Sequence, residues 1–94
     1  MLAVGVLQVQ LRLRASHSLK DKRRVLRSLK DRLRSRYNVS VAEVDDQDLW
    51  QSLCLGFAMA GSDARLVRSQ LEEIVLQLRS HPEAELVDHE IDLL

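Results

Sequence analysis

Over residues 2–14 apolar and polar side chains take turns, with Leu7, Val9, Leu11 and Leu13 at odd positions and Gln8, Gln10, Arg12 and Arg14 at even ones. A period of two is the pattern of a half-buried strand. Leu2, Val4 and Val6 make the even face apolar at the strand's beginning. After a short loop at residues 15–18 the period lengthens. Ser18 followed by Asp21 forms a capping-box-like helix start, with Asp where Glu or Gln is usual. Leu26, Leu29, Leu33 and Tyr37 then recur at helical spacing on a helix that reaches about Arg36. At about 100° per residue, Arg23, Arg27, Lys30 and Arg34 line the opposite face, flanked by Lys20 and Arg24. Lys22 falls near the apolar side and is expected to snorkel from the first turn. Asn38, a residue that tolerates the left-handed conformation, is expected to close the helix.

Residues 39–44 are valine-rich and predict a second strand, whose alternation slips in a way that a bulge near Ala42 explains. Residues 45–48, Asp-Asp-Gln-Asp, predict a turn. A third strand is expected over residues 49–60. Leu53, Leu55, Phe57 and Met59 form its large apolar face, and Ser52, Cys54, Gly56, Ala58 and Ala60 its small one. Gly61-Ser62-Asp63 breaks the strand and caps a second helix. Val67, Leu71, Ile74 and Leu78 form that helix's stripe, and His81-Pro82 stops it. Residues 84–93 predict a last strand, with Val87, Ile91 and Leu93 inward and Asp88, Glu90 and Asp92 outward.

The order β-α-β-β-α-β is the split βαβ arrangement: an α+β, ferredoxin-like sandwich with strand order 4-1-3-2 and both helices on one face of an antiparallel sheet. The first and last strands are then neighbours, and cross-strand pairing of Arg12 and Arg14 with Asp88 and Glu90 is expected on the helix-free face. At 94 residues the chain accommodates one domain. No segment is long and apolar enough for a transmembrane helix, and no charged region precedes the first apolar run as in a signal peptide. One cysteine, Cys54, leaves no intramolecular disulfide and fits a reducing, cytoplasmic setting.

Charge alters this picture more than composition does. Fourteen basic and fourteen acidic side chains cancel overall. Residues 12–36, however, hold eleven Lys/Arg against Asp21 and Asp31, a net +9, while residues 37–94 hold three Arg against twelve acids, a net −9. Such a split points to a polyanion partner or to pairing of one half with the other, and a net charge near zero favours self-association.

Residues 18–25, Ser-Leu-Lys-Asp-Lys-Arg-Arg-Val, residues 38–45, Asn-Val-Ser-Val-Ala-Glu-Val-Asp, and residues 47–51, Gln-Asp-Leu-Trp-Gln, resemble the signature blocks of the YlxP-like family, small bacterial domains of unknown function. The likeness runs from the opening strand to residues 90–91. It implies a ferredoxin-like fold, a cytoplasmic bacterial setting and genes near those for translation and ribosome maturation, and it implies no activity. Members of that family often carry His where this chain has Asp46.

The basic face of Lys20, Arg23, Arg24, Arg27, Lys30 and Arg34 is the footprint of a phosphate-backbone binder. The competing readings are a solvated face matched by the chain's own acids and a dock for an acidic protein. With one Trp, one Tyr and one Phe, stacking on sheet aromatics is sparse. The expected partner is therefore structured RNA held by its backbone, ribosomal RNA being what the resemblance suggests. The small face of Cys54, Gly56, Ala58 and Ala60, beside Leu2, Val4 and Val6, is expected to contact a second copy. Trp50 belongs to that interface, to the core or to a stacking site. Ser16, His17 and Ser18 could hold an anion at a helix N-terminus. The acids Glu43, Asp45, Asp46 and Asp48 read as a turn rather than a metal site, and the histidines lack ligand spacing with Cys54. No cofactor motif and no nucleophile–base pair is visible, so no reaction is expected.

Overall fold

The alternation at the start of the chain becomes strand β1 (Ala3–Arg12), with Leu7, Val9 and Leu11 buried and Gln8, Gln10 and Arg12 exposed. In the computed structural model, which describes residues 1–94, it is followed by α1 (Leu19–Arg36), β2 (Val39–Asp45), β3 (Ser52–Gly61), α2 (Ala64–Arg79) and β4 (Glu85–Leu93). The four strands form one antiparallel sheet in the order β2-β3-β1-β4, the expected 4-1-3-2 order seen from the other edge. β1 and β3 occupy the centre over ten paired positions, from Ala3 opposite Gly61 to Arg12 opposite Ser52. β2 and β4 are the open edges.

Eighteen buried apolar residues form the core between sheet and helices. α2 contributes Val67, Leu71, Ile74, Val75 and Leu78, which match and extend the expected stripe. Two glycines let α2 approach. A Cβ on Gly5 would stand 2.8 Å from Leu71 Cδ1 and Val67 Cγ1, and one on Gly61 would stand 2.7 Å from Val67 Cγ2. In α1 the buried stripe is Lys22, Val25, Leu29 and Leu33, whereas Leu26 and Tyr37 sit half-buried at its border.

Several local expectations are corrected. The bulge in β2 falls at Val44, between Glu43 opposite Leu55 and Asp45 opposite Cys54, and not at Ala42. A second bulge in β4 pairs Gln10 with Asp88 but Leu11 with Leu86. Leu86 thereby takes the inward position and Val87, expected inside, is 45% exposed. The same register places Arg12 opposite Glu85 and leaves Asp88 and Glu90 opposite Gln10 and Gln8. Arg14 accordingly pairs with Glu85 at 3.0 Å instead of with either of those acids. α1 ends at Tyr37 in an extended conformation, and the side chain of Asn38 instead donates to the carbonyl of Ala60. At the other end Ser18 caps as expected, its Oγ accepting from the N–H of Asp21 at 3.0 Å. The Asp21 carboxylate reaches back one residue further than in the usual box, to the N–H of His17 at 2.9 Å.

Candidate nucleic-acid interface

Lys22 does not snorkel. Its side chain is 2% exposed, and its Nζ donates to the carbonyls of Asp46 at 2.6 Å and Leu49 at 2.8 Å, with Gln47 O at 3.4 Å. Glu43 Oε2 stands 2.7 Å from the same nitrogen as its counter-ion. An ammonium is stable inside a protein only when its protons and charge are satisfied in this way. The ligands come from residues 43–49, so the first turn of α1 is fastened to the β2–β3 connection. The signal in the sequence was the position of Lys22 on the stripe of Val25, Leu29 and Leu33; the carbonyls that receive it lie more than twenty residues away.

The remaining cations of α1 divide between two flanks. Toward the α2–β4 connection, Arg24 grips Glu83 with Nη2 to Oε2 at 2.6 Å and Nη1 to Oε1 at 3.3 Å. That pair raises the Arg24 pKa and holds the Glu83 carboxyl below its ordinary value. Arg32 lies on the same side. Burial and then the Arg32 charge push the His81 pKa down, and His81 Nδ1 accepts the N–H of Glu83 at 3.1 Å. On the other flank Arg23, Arg27, Lys30 and Arg34 join Leu26 and Asp31 in a shallow groove along the helix. None of these four forms an ion pair, and neither does Lys20. The structure therefore groups five of the six expected contacts as free cations and places Arg24 in an internal pair.

β3 begins at Ser52, so Leu49 and Trp50 belong to the turn and not to the strand. Both are about half exposed, Leu49 at 52% and Trp50 at 54%. The turn is tied down from several sides. Asp46 takes a left-handed φ of 54°, and its carboxylate accepts from Ser52 Oγ at 2.7 Å and Cys54 Sγ at 3.4 Å. These bonds lower the Asp46 pKa. Burial and the bond to Asp46 raise that of Cys54, keeping it a thiol. Gln51 Nε2 donates to the carbonyls of Arg14 and Ser16 at 3.1 and 3.0 Å. Ser16 is itself buried and donates to the Ser18 carbonyl, which engages the donor expected to face an anion.

On the helix-free face the expected contact surface is divided. A Cβ on Gly56 would fall 2.8 Å from Val44 Cγ1, so the chain's own bulged residue occupies that space, and Cys54 is turned to Asp46. Ala58 and Ala60 remain exposed beside half-buried Val4 and Val6. The turn acids do not converge: Glu43 serves Lys22, Asp45 caps the N–H of Asp46, and Asp46 bonds Ser52 and Cys54. No group of three or more His, Cys, Asp or Glu is arranged to hold a metal ion. No helix is long and apolar enough to cross a membrane.

Comparison with known proteins agrees with this architecture. A designed protein, "De novo designed protein Ferredog-Diesel", superposes with a TM-score of 0.51 at 13% identity, covering 95% of this chain and 83% of the other. That likeness concerns the fold alone. "Uncharacterized protein YlxP" of Bacillus subtilis (strain 168) is 35% identical over 68 residues, 72% of this chain and 74% of the relative. The family described as "Protein of unknown function (DUF503)" matches residues 4–91, from the second residue of β1 into β4. With the signature blocks on α1, β2 and the clamped turn, the chain belongs to this YlxP-like family of unknown function.

Proposed function

We propose that the protein is a non-enzymatic, cytoplasmic RNA-associated domain that holds the phosphate backbone of structured RNA, ribosomal RNA in the first instance, on the free flank of α1. One observation carries this reading: Arg23, Arg27, Lys30 and Arg34 share one side of a single helix without an ion-pair partner, in a chain that has fourteen acids to offer. Cations left unpaired in a row present an open electrostatic surface to a polyanion. Neutralising about four to six phosphates gives a slope of log affinity against log salt near −3 to −5. Backbone contacts carry little sequence information, so different structured RNAs are held alike. The test is binding of a labelled RNA hairpin at low salt by the parent and by the Arg23→Glu, Arg27→Glu, Arg34→Glu triple variant. The expected result is loss of binding with an unchanged circular dichroism spectrum, and equal binding by a folded triple variant rejects the reading.

The exposed Ala58 and Ala60 beside Val4 and Val6 favour a second reading, a homo-oligomeric adaptor that pairs two copies through the helix-free face. On that reading Ala58→Glu buries an unpaired charge and separates the copies. A monomer at tens of micromolar for the parent chain removes it.

A further inference from the structure

The Leu49–Trp50 turn combines rigidity with exposure. Lys22, a buried cation, holds the carbonyls on both sides of residue 48, Gln51 is tied to the β1–α1 loop, and the N–H of Leu13 donates to the Gln51 carbonyl at 2.9 Å. All this fastening displays an indole to solvent. Beside it lies a shallow concavity lined by Arg12, Asp48, Leu49, Trp50, Gln51 and Ser52. Arg12, unlike Arg14, has no carboxylate partner. The lining sets the apolar surface of the indole and Leu49 beside the guanidinium of Arg12 and the polar Asp48, Gln51 and Ser52, an arrangement that suits a planar group with an anionic tail reaching Arg12. A nucleotide has both features, a π-face and a phosphate. Lys22 joins this turn to the helix position next to Arg23, so platform and basic flank are held in fixed relation.

We infer that Trp50 is a stacking platform for one unpaired base of the bound RNA, with Arg12 facing that nucleotide's phosphate. This rests on the RNA reading above and specifies the ligand further: structured RNA carrying an unpaired nucleotide beside its helix. Lys22 acts as the positioning residue and touches no ligand.

Trp50 is the chain's only tryptophan, so intrinsic fluorescence reports this residue alone. The probes are a blunt RNA hairpin and the same hairpin with one unpaired 3′ adenosine. The overhang hairpin is expected to quench the indole and to bind more tightly than the blunt one. Trp50→Ala weakens only the overhang hairpin, by about 5- to 150-fold, and Trp50→Phe restores most of the difference. Trp50 is half exposed and outside the core, so the variants retain the fold. Equal binding of both hairpins, or an overhang preference that survives Trp50→Ala, overturns the stacking inference and leaves the flank reading standing. Quenching that persists unchanged in the Arg23, Arg27, Arg34 triple Glu variant, with hairpin affinity also unchanged, overturns the flank reading and leaves Trp50 in place. A fluorescence change that depends on protein concentration without RNA assigns the turn to a contact between copies and also overturns the inference.

Discussion

Arg23 and Arg24 are neighbours of one residue type on one helix, and the fold sorts them to opposite flanks. Arg24 turns toward the α2–β4 connection, where Glu83 takes both its guanidinium nitrogens and the charge of Arg32 bears on a buried His81. Arg23 turns to the groove it shares with Arg27, Lys30 and Arg34, where no carboxylate pairs with any of them. Lys22, between the helix and the sheet, is absorbed completely. Three consecutive cations thus have three fates: structural, internally paired and free. A count of basic residues overstates the surface open to a polyanion, and the open part is read only by subtracting the cations the fold uses for itself.

The sharpest contrast lies between Lys22 and Arg23. Lys22→Ala leaves Glu43 without its counter-ion and three carbonyls without their donor, and is expected to cost about 3–5 kcal/mol. Arg23→Ala, on the exposed flank, is expected to change stability by less than about 0.5 kcal/mol. Urea denaturation of the two variants tests this, and similar midpoints contradict the placement of Lys22. Lys22→Met combined with Glu43→Leu removes both charges and is expected to recover part of the loss.

A smaller effect separates the flanks by pH. Burial and Arg32 lower the His81 pKa, and Glu83 on the same loop opposes them only in part. Between the lowered folded value and the ordinary one of about 6.5, the unfolded chain binds more protons than the folded chain. Stability therefore falls as pH drops through about 6.5 and levels off below the folded value. Asp46 and Glu83, held below their ordinary values, add a separate loss at lower pH, as pH falls through the ordinary carboxylate range of about 4 toward their folded values. Chemical denaturation between pH 5 and 8, in the range where His titrates, is expected to show the upper slope in the parent and not in His81→Asn. An unchanged slope in that variant removes His81 as its source.

The smallest effect concerns the exposed pair itself. Glu83→Gln releases Arg24, and stability is expected to change little, because the pair is solvent-exposed and screened. RNA affinity is expected to rise slightly if the freed guanidinium joins the free surface. Affinity that falls in Glu83→Gln contradicts the view that Glu83 withholds Arg24 from RNA.

Much of the fold was legible because its periods are local. The alternation of β1 and β3 and the stripe of Val67, Leu71, Ile74 and Leu78 each follow from a repeat within one element, and the order of elements selects the sheet topology. What escaped depends on residues distant in the chain. Lys22 looks like any first-turn lysine until residues 43–49 fold beneath it. Val44 and Val87 shift their strands by one position, which a valine-rich run does not disclose. Gly56 reads as open space for another molecule until Val44 fills it. Trp50 reads as a strand residue because the apolar run continues through Leu49, while the carbonyl contacts to Lys22 hold both residues out in the turn. The basic stripe was visible as a set, but nothing in the spacing of residues 23 and 24 says which of them meets Glu83.

The measurement that bears most directly on the free flank is the salt dependence of RNA hairpin affinity for the parent, Arg27→Ala and Arg24→Ala. Each lost phosphate contact reduces the steepness of log affinity against log salt by about 0.7–0.9. That reduction is expected for Arg27→Ala, and a slope equal to the parent's for Arg24→Ala. Equal reductions in both variants, or none in Arg27→Ala, contradict the assignment of the free flank.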